Sequence, residues 1–286
     1  MKHTDPAAVQ KDIAAEMHLT ARFDANEEIE RRVSFLADYL RSNGLKTYVL
    51  GISGGVDSTT AGRLAQLAME RLRGDSYDAH FVAVRLPHGE QKDEADAQQA
   101  LAFIRADETL TIDIKPAADA MLASLRQSGL PFSDEAQEDF VHGNIKARQR
   151  MIAQYAVAST RAGVVIGTDH AAESLMGFFT KFGDGGADVL PLAGLNKRRV
   201  RAVAKALGAS DALAYKVPTA DLEALRPQRP DEDAYGVPYE TIDDFLEGKP
   251  VSDEARNIIL RFYTVTRHKR ALPYTPFDWP APESGQ

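Results

Sequence analysis

The stretch Gly51-Ile52-Ser53-Gly54-Gly55-Val56-Asp57-Ser58 decides the fold that the sequence predicts. Apolar residues at 48–52 predict a buried strand that enters it, and the helical spacing of apolar residues at 64–72 predicts a helix that leaves it. A turn of this kind presents backbone N–H groups and the positive end of the helix dipole, and both attract anions. We therefore expect residues 51–58, called the phosphate loop below, to bind phosphate groups.

An ordinary helix start is the alternative interpretation of the phosphate loop, with Asp57 or Ser58 as the N-cap. One cap does not require so many glycine and serine residues after a buried strand, which favours phosphate binding. No lysine follows the glycines, so the Walker A pattern is absent. The glycine spacing also differs from the G-x-G-x-x-G fingerprint of dinucleotide sites.

The rest of the chain alternates predicted strands with predicted helices. Strands are expected at 46–52, 80–86, 109–114 and 164–167, and helices at 6–17, 26–44, 57–73, 93–105, 117–128, 133–161, 196–207 and 252–267. Most of the strands are continuous apolar runs, which is typical of a parallel sheet covered by helices on both faces. We expect an α/β fold with a doubly wound, mostly parallel sheet, in one domain over residues 1–286. Prolines and charges at 217–238 predict a mobile loop, and residues 273–286 a loose tail.

The composition describes an ordinary globular protein without thiol chemistry. The 286 residues are 44% apolar and 27% charged, and the net charge of −8 disfavours a protein that coats nucleic acid. The absence of cysteine excludes disulfides, thiolate metal sites and thiol nucleophiles. We find no signal-peptide pattern and no apolar run of membrane-spanning length. We expect a cytoplasmic enzyme that binds neither nucleic acid nor membranes.

Polar residues follow three of the predicted strands, at the edge where ligands of parallel sheets gather. Asp57 follows the first strand and Glu173 the last, so the two carboxylates are candidate ligands of one Mg²⁺ ion beside phosphate groups. A helix cap and a solvated helix residue are the plainer alternatives for them. His88 and His170 lack the spacing of metal ligands, and we expect them to serve hydrogen bonds or turns.

The phosphate loop resembles the pyrophosphate loop of the N-type ATP pyrophosphatases. Its Val56 is common in GMP synthetases, whereas bacterial NAD synthetases more often have glutamine there. Segments downstream resemble the ammonia-dependent NAD synthetase family, and the likeness runs in order from about residue 28 to 270. These segments are 85–89, 146–155, 167–173, 178–188, 218–222 and 268–270.

This resemblance implies a homodimer with an adenine-nucleotide alpha-hydrolase-like fold. It also implies that ATP, with Mg²⁺, adenylates nicotinic acid adenine dinucleotide (deamido-NAD), and that free ammonia then gives NAD⁺, AMP and pyrophosphate. Matched motifs place ATP at Gly51, Ile52, Ser53, Gly54, Gly55, Val56, Asp57, Ser58, Arg85, Gln91, Thr168, Lys197 and Thr219, Mg²⁺ at Asp57 and Glu173, and deamido-NAD at Arg148, Lys181, Asp188, His268 and Lys269.

The nitrogen donor follows from the same likeness and from the missing cysteine. A thiol glutaminase needs a cysteine, so we expect ammonia from solution unless a separate subunit delivers it. Asp184 is the candidate for binding ammonium and accepting its proton, with Asp188 as second choice. The alternative for Asp184 is that it only shapes a turn beside glycine. Lys197 is the candidate for neutralising the departing pyrophosphate.

Two other functions stay open at this point. Another ATP pyrophosphatase, such as a GMP synthetase subunit, would share the phosphate loop, although the missing cysteine argues against members that thiolate tRNA. A nucleotide-binding regulatory module without turnover is the second alternative. The presence of Asp57, Glu173, Lys197 and Asp184 favours an enzyme.

Overall fold

Four parallel strands form the central sheet of this protein. They are β1 (Thr47–Gly51), β2 (His80–Arg85), β3 (Glu108–Thr111) and β4 (Gly163–Val165), in the order β3-β2-β1-β4. The chain moves from β1 to β2 and β3 on one side and returns to β4 on the other side of β1. This reversal places a crevice at the carboxyl end of β1, where ligands of open α/β sheets bind. The predicted doubly wound parallel sheet is confirmed.

Helices cover both faces of the sheet. The computed structural model describes residues 5–89, 94–220, 225 and 229–277, with the backbone alone at 219, 220, 229 and 230. Its helices are α1 (Pro6–Glu16), α2 (Ala25–Ser42), α3 (Val56–Gly74), α4 (Glu94–Ile104), α5 (Lys115–Gln127), α6 (Glu135–Ser159), α7 (Ala171–Met176), α8 (Lys197–Ala206), α9 (Asp211–Ala214), α10 (Asp231–Tyr235), α11 (Tyr239–Leu246), α12 (Asp253–Val265) and α13 (Arg267–Arg270). Two short strands, β5 (Thr219–Ala220) and β6 (Arg229–Pro230), pair antiparallel. Within these described ranges, no helix is long and apolar enough to cross a lipid bilayer.

Alternating strand residues divide the interior into two cores. Tyr48 and Leu50 of β1 pack with residues of α2, α3 and α8. Val49 points to the opposite face and packs with β2, β4 and α6. Successive side chains of a strand point to opposite faces, so a strand buried on both sides must be apolar throughout. This requirement explains the continuous apolar runs in the sequence.

A smaller core beside the sheet holds α7 and α8 in place. Ile13 of α1, Leu175 of α7, Ile242 of α11 and Ile259 of α12 are all buried in it. α11 also binds the first turn of α8, because Asp243 accepts hydrogen bonds from the backbone N–H groups of residues 197 and 198 at 3.1 and 2.7 Å. The core therefore positions two helices whose side chains reach the carboxyl edge of the sheet.

The structure corrects the predicted elements where they are short. The sequence analysis does not predict α7, α9, α10, α11 or α13, since helices of four to eight residues show little periodicity. The predicted loop at 217–238 contains the short elements β5, β6 and α10. Its mobility stays a prediction, as does the loose tail, of which residues 278–286 lie outside the described residues.

Gly177 generates a test of the packing around α7. It ends this helix with a φ of 62°, and a Cβ there would lie 2.2 Å from Cβ of Thr266. Gly177→Ala should lower the free energy of unfolding by more than the roughly 1–2 kcal/mol of left-handed strain. Gly44→Ala is the matched control, because Gly44 has a φ of 65° and nothing within 4 Å of a Cβ. Equal losses in a urea titration would contradict the contact with Thr266.

Candidate active site

A cavity of about 470 Å³ opens at the carboxyl edge of the sheet. The phosphate loop, the ends of β2 and β4, and one face of α6 form its walls. The segment from 177 to 184 and residues 216–218 complete the lining. The topology therefore places the predicted phosphate site in this cavity.

Hydroxyl groups of the phosphate loop form hydrogen bonds within the loop. Ser53 Oγ lies 3.1 Å from Ser58 Oγ and accepts a hydrogen bond from the N–H group of Gly55 at 3.2 Å. Gly54 has a φ of 88°, and a Cβ there would lie 2.9 Å from the backbone nitrogen of residue 97. Gly55 is the N-cap of α3 and no side chain caps the helix, so the alternative that Asp57 or Ser58 is the cap is wrong. The first-turn N–H groups of α3 have no intrahelical partner, and residues 56–58 of that turn line the cavity.

Two further residues that are predicted to bind ATP, Arg85 and Thr168, line the cavity. Arg85 is buried, and its guanidinium donates to the carbonyl oxygen of Ile52 and, at 2.9 Å, to Glu94 Oε2. Thr168 lines the cavity beyond the end of β4. Gln91 lies outside the described residues, as does the side chain of Thr219. The nucleotide contacts of all four residues stay predictions.

A buried charge cluster joins three elements behind the phosphate loop. Lys197, the first residue of α8, is 1% exposed, and its Nζ lies 2.7 Å from Asp57 Oδ2 and 3.8 Å from Glu173 Oε1. Burial disfavours both charged forms, but their mutual attraction is stronger, so the pKa of Asp57 is lowered and the pKa of Lys197 is raised. The structure thus brings together Asp57, Glu173 and Lys197, as the sequence analysis predicts.

His170 belongs to this cluster although its sequence spacing does not reveal it. Its Nδ1 accepts from the N–H group of Glu173 at 3.4 Å and caps α7, which confirms the predicted hydrogen-bonding role. Its Nε2 also lies 3.6 Å from Asp57 Oδ1 and 3.4 Å from Glu173 Oε1. His170 therefore lies among potential metal ligands, although its spacing in the sequence does not show this because Asp57 is distant in the chain.

Two further carboxyl groups, those of Asp184 and Asp231, line the cavity, and that of Asp169 lies near them. Asp184 lines the cavity, and protein surrounding it raises its pKa to about 6. Its Oδ1 accepts from the N–H group of Thr180 at 2.8 Å, so the turn-shaping role is present as well. Burial raises the pKa of Asp231 to about 6, and burial with repulsion from Glu173 raises the pKa of Asp169. This concentration of negative charge suits cationic ligands.

Asp231 is a cavity residue that the sequence analysis misses. It begins α10, lines the cavity, and its Oδ2 accepts from the hydroxyl group of Tyr239 at 3.2 Å. Its Oδ1 is buried without a hydrogen-bond partner among the described residues. No sequence signal marks it, because it lies in a stretch of charges and prolines that is typical of a loop.

Three of the residues predicted to bind deamido-NAD form a chain of contacts outside the cavity. Arg148 is exposed and donates to the carbonyl oxygen of Lys181 at 3.3 Å. Lys181 Nζ donates in turn to the carbonyl oxygen of His268. The structure therefore brings these residues together, although 120 positions separate the first from the last.

The other two predicted deamido-NAD residues lie in different surroundings. Lys269 lines the cavity and donates to the carbonyl oxygens of Gly177 and Phe179, both at 2.8 Å. Asp188 is absent from the cavity lining, and its Oδ2 accepts from the N–H group of Val165 at 2.7 Å. A dinucleotide contact at either residue stays a prediction.

Comparison with known proteins gives the family. The NAD synthase model matches residues 28–273. A curated NH(3)-dependent NAD(+) synthetase from Paraburkholderia phytofirmans is 82% identical over 285 residues, which covers 100% of both chains. The chain belongs to the NAD synthase family. This membership answers the alternative that the chain is a GMP synthetase subunit.

Solved structures with the NAD synthase fold carry two different names. The crystal structure of an NAD+ synthetase from Burkholderia pseudomallei is 69% identical, covers 96% of this chain and 100% of its own, and superposes with a TM-score of 0.83. An NMN synthetase from Francisella tularensis is 36% identical, covers 89% and 99%, and has a TM-score of 0.77. Because the products named for these two proteins differ, the shared fold does not by itself identify the substrate.

Proposed function

We propose that this chain catalyses the ATP-dependent amidation of deamido-NAD with free ammonia, giving NAD⁺, AMP and pyrophosphate. The observation that carries the proposal is the phosphate loop at the sheet crossover, with the Asp57–Lys197 ion pair directly behind it. The identity of 82% with an NH(3)-dependent NAD(+) synthetase over the full chain favours this product over NMN. The cytoplasmic location that the sequence suggests stays a prediction.

The two steps of the reaction explain why ATP is needed. A carboxylate resists attack by ammonia because oxide is a poor leaving group. In the first step, the nicotinate oxygen bonds to the α-phosphorus and the bond to pyrophosphate breaks. In the second, the ammonia nitrogen bonds to the carbonyl carbon, the bond to AMP breaks, and a proton is lost. The protein must position the reactants and stabilise charge, and needs no covalent nucleophile.

The charge that develops on pyrophosphate is met by groups of this chain. The phosphate loop leads into the N-terminus of α3, whose positive dipole end favours anions, and Lys197 supplies a buried cation beside it. In the protein without ATP, Asp57 neutralises that cation. When ATP binds, its phosphates would become a second anionic partner for Lys197.

Asp57 and Glu173 fit a Mg²⁺ ion. Asp57 Oδ1 is buried without a hydrogen-bond partner among the described residues, and it lies within 4.8 Å of ligand atoms of Glu173 and His170. Carboxylate oxygens are the ligands that Mg²⁺ prefers, whereas imidazole suits it poorly. We therefore assign the metal to the two carboxylates and assign His170 to their positioning. A bound Mg²⁺ would neutralise charge on the ATP phosphates.

Product analysis tests the overall reaction. The protein is incubated with ATP, Mg²⁺ and ammonium, together with either deamido-NAD or nicotinic acid mononucleotide, and the products are identified by mass spectrometry. We expect NAD⁺, AMP and pyrophosphate from the dinucleotide. Faster amidation of the mononucleotide would instead support an NMN synthetase, and no pyrophosphate with either substrate would support a binding module.

In the same assay, Glu173→Gln tests the metal site. Loss of one charge-stabilising group should lower the rate of pyrophosphate release by about 10²–10³-fold. The fold should survive, because the 2.7 Å ion pair of Lys197 is with Asp57 and stays intact. Glu254→Gln, at an exposed position of α12, is the control and should retain wild-type turnover. Wild-type turnover of Glu173→Gln at an unchanged Mg²⁺ requirement would refute the assignment.

Asp184→Asn tests the ammonia site. Losing one charge-assisted hydrogen bond should raise the apparent KM for ammonium about 10-fold while adenylation continues. Because the pKa of Asp184 is raised to about 6, its carboxylate is protonated at lower pH. The rate advantage of the wild type in amide formation should therefore shrink as the pH falls below about 6.

Asp253→Asn is the matched control for this prediction, because Asp253 is 91% exposed on α12 and does not line the cavity. It should leave the KM for ammonium unchanged. Equal loss of adenylation and amidation in Asp184→Asn would leave only the turn-shaping role. Use of glutamine by the wild type alone would contradict free ammonia as the donor.

We further propose that the active protein is a homodimer that pairs through α6. Ile152 of α6 is 52% exposed and Phe182, in the loop beside α6, is 56% exposed. This loop packs on α6, since a Cβ at Gly186 would lie 3.1 Å from Met151 Cγ. Ile145, also on α6, is buried against α5 and is therefore not part of this exposed surface. Exposed apolar surface of this kind marks protein contacts.

Ile152→Glu should convert the protein to monomers and lower its activity, because a charge would be buried in the interface. Sedimentation velocity at assay concentration measures the mass. Val265→Glu, at a 61% exposed apolar position on α12, is the control and should stay dimeric. An active wild-type monomer would contradict the proposed dimer.

A further inference from the structure

A second group of ligand-type side chains lies outside the cavity. His88 follows the end of β2, Asp119 lies on α5 and His142 lies on α6. One ligand atom from each lies within 4.8 Å of the others. None of the three lines the cavity, although the neighbouring residues 86 and 143 do. The reaction proposed above uses none of these three side chains.

The two imidazoles converge on a single carboxylate oxygen. His88 Nε2 lies 2.9 Å and His142 Nε2 lies 3.1 Å from Asp119 Oδ1. His142 Nε2 is nevertheless buried without a well-aligned hydrogen bond to any described group. Ligands held about 2.0–2.1 Å from a tetrahedral ion lie about 3.3–3.4 Å apart. Each imidazole nitrogen would thus need to move away from Asp119 Oδ1 by only a few tenths of an ångström to accept an ion between them.

One lysine near the group affects its charge. Lys146 acts electrostatically on both His88 and His142. Its positive charge opposes a cation, and the carboxylate of Asp119 offsets that charge. An imidazole binds a metal through its neutral form.

Asp119 also has the outer partner that ligating carboxylates usually have. Lys115 Nζ lies 2.6 Å from Asp119 Oδ2 and leaves Oδ1 facing the two histidines. Such a contact orients a ligand and fixes which oxygen meets the metal. The side chain of Asp119 is 40% exposed, which leaves water access to a fourth coordination position.

We propose that His88, Asp119 and His142 form a Zn²⁺ site with three protein ligands and one water. Two imidazole nitrogens and one carboxylate oxygen are a donor set that suits Zn²⁺ and is unfavourable for Mg²⁺. The ion would tie the loop after β2 to α5 and α6. That loop follows Arg85, and α6 forms a wall of the cavity, so the site would brace the cavity from outside.

Zinc uptake tests the proposal directly. Protein stripped with a chelator is dialysed against buffered Zn²⁺ with Mg²⁺ in large excess, and bound zinc is counted by atomic emission. The wild type should hold one equivalent more than His88→Gln or His142→Gln. Losing a ligand should weaken binding by more than the roughly 10–100-fold that loss of an outer partner causes. Co²⁺ in the wild type should show the visible bands of tetrahedral coordination.

His80→Gln is the matched control, because His80 also pairs with an aspartate, Asp78, at 3.0 Å but forms no three-ligand group with the side chains that the structure describes. It should bind zinc like the wild type. One site variant changes a loop and the other a helix, so the test remains valid if one of them fails to fold. Circular dichroism without metal checks the fold of both variants. Zinc should raise the Tm of the wild type and not that of the site variants. Equal zinc uptake by the wild type and both site variants would overturn the proposal, as would a wild type that takes up none.

Discussion

The buried ion pair between Lys197 and Asp57 is the interaction on which the candidate active site depends. It joins the first turn of α8 to the first turn of α3, at the point where the phosphate loop becomes a helix. An ammonium group that is 1% exposed requires an anionic partner, since an unpaired buried charge is strongly destabilising. The pair therefore fixes the distance between the phosphate loop and the smaller core that carries α7 and α11.

The same pair explains why so many carboxyl groups are tolerated at one edge of the sheet. Asp57 and Glu173 share Lys197, while Asp184 and Asp169 lie near Lys269. Burial, with a smaller contribution from repulsion by Glu173, raises the pKa of Asp184 and that of Asp231 to about 6. Carboxylates held close together without enough cations of their own favour cationic ligands, and magnesium and ammonium are the two that the proposed reaction uses.

Much of the fold could be predicted because its signals are local. Apolar runs identify the four strands, and periodicity with capping residues identifies long helices such as α8, where Asn196 caps the backbone of Arg199 at 3.0 Å. Short helices escaped prediction because four to eight residues contain too few turns for a periodic pattern. The most important helix missing from the prediction is α10, because it brings Asp231 to the cavity from a segment whose sequence resembles a loop.

The sequence by itself determined the parallel sheet, the phosphate loop and the resemblance to a family, because each depends on residues that are neighbours in the chain. It also identified Asp57, Glu173 and Lys197 through matched motifs. Only the tertiary structure decided which side chains meet. His170 reaches a residue 113 positions earlier in the chain, and His88 and His142 converge on Asp119 from a loop and two helices. No pattern of residue spacing predicts such contacts, because the packing of helices on the sheet creates them.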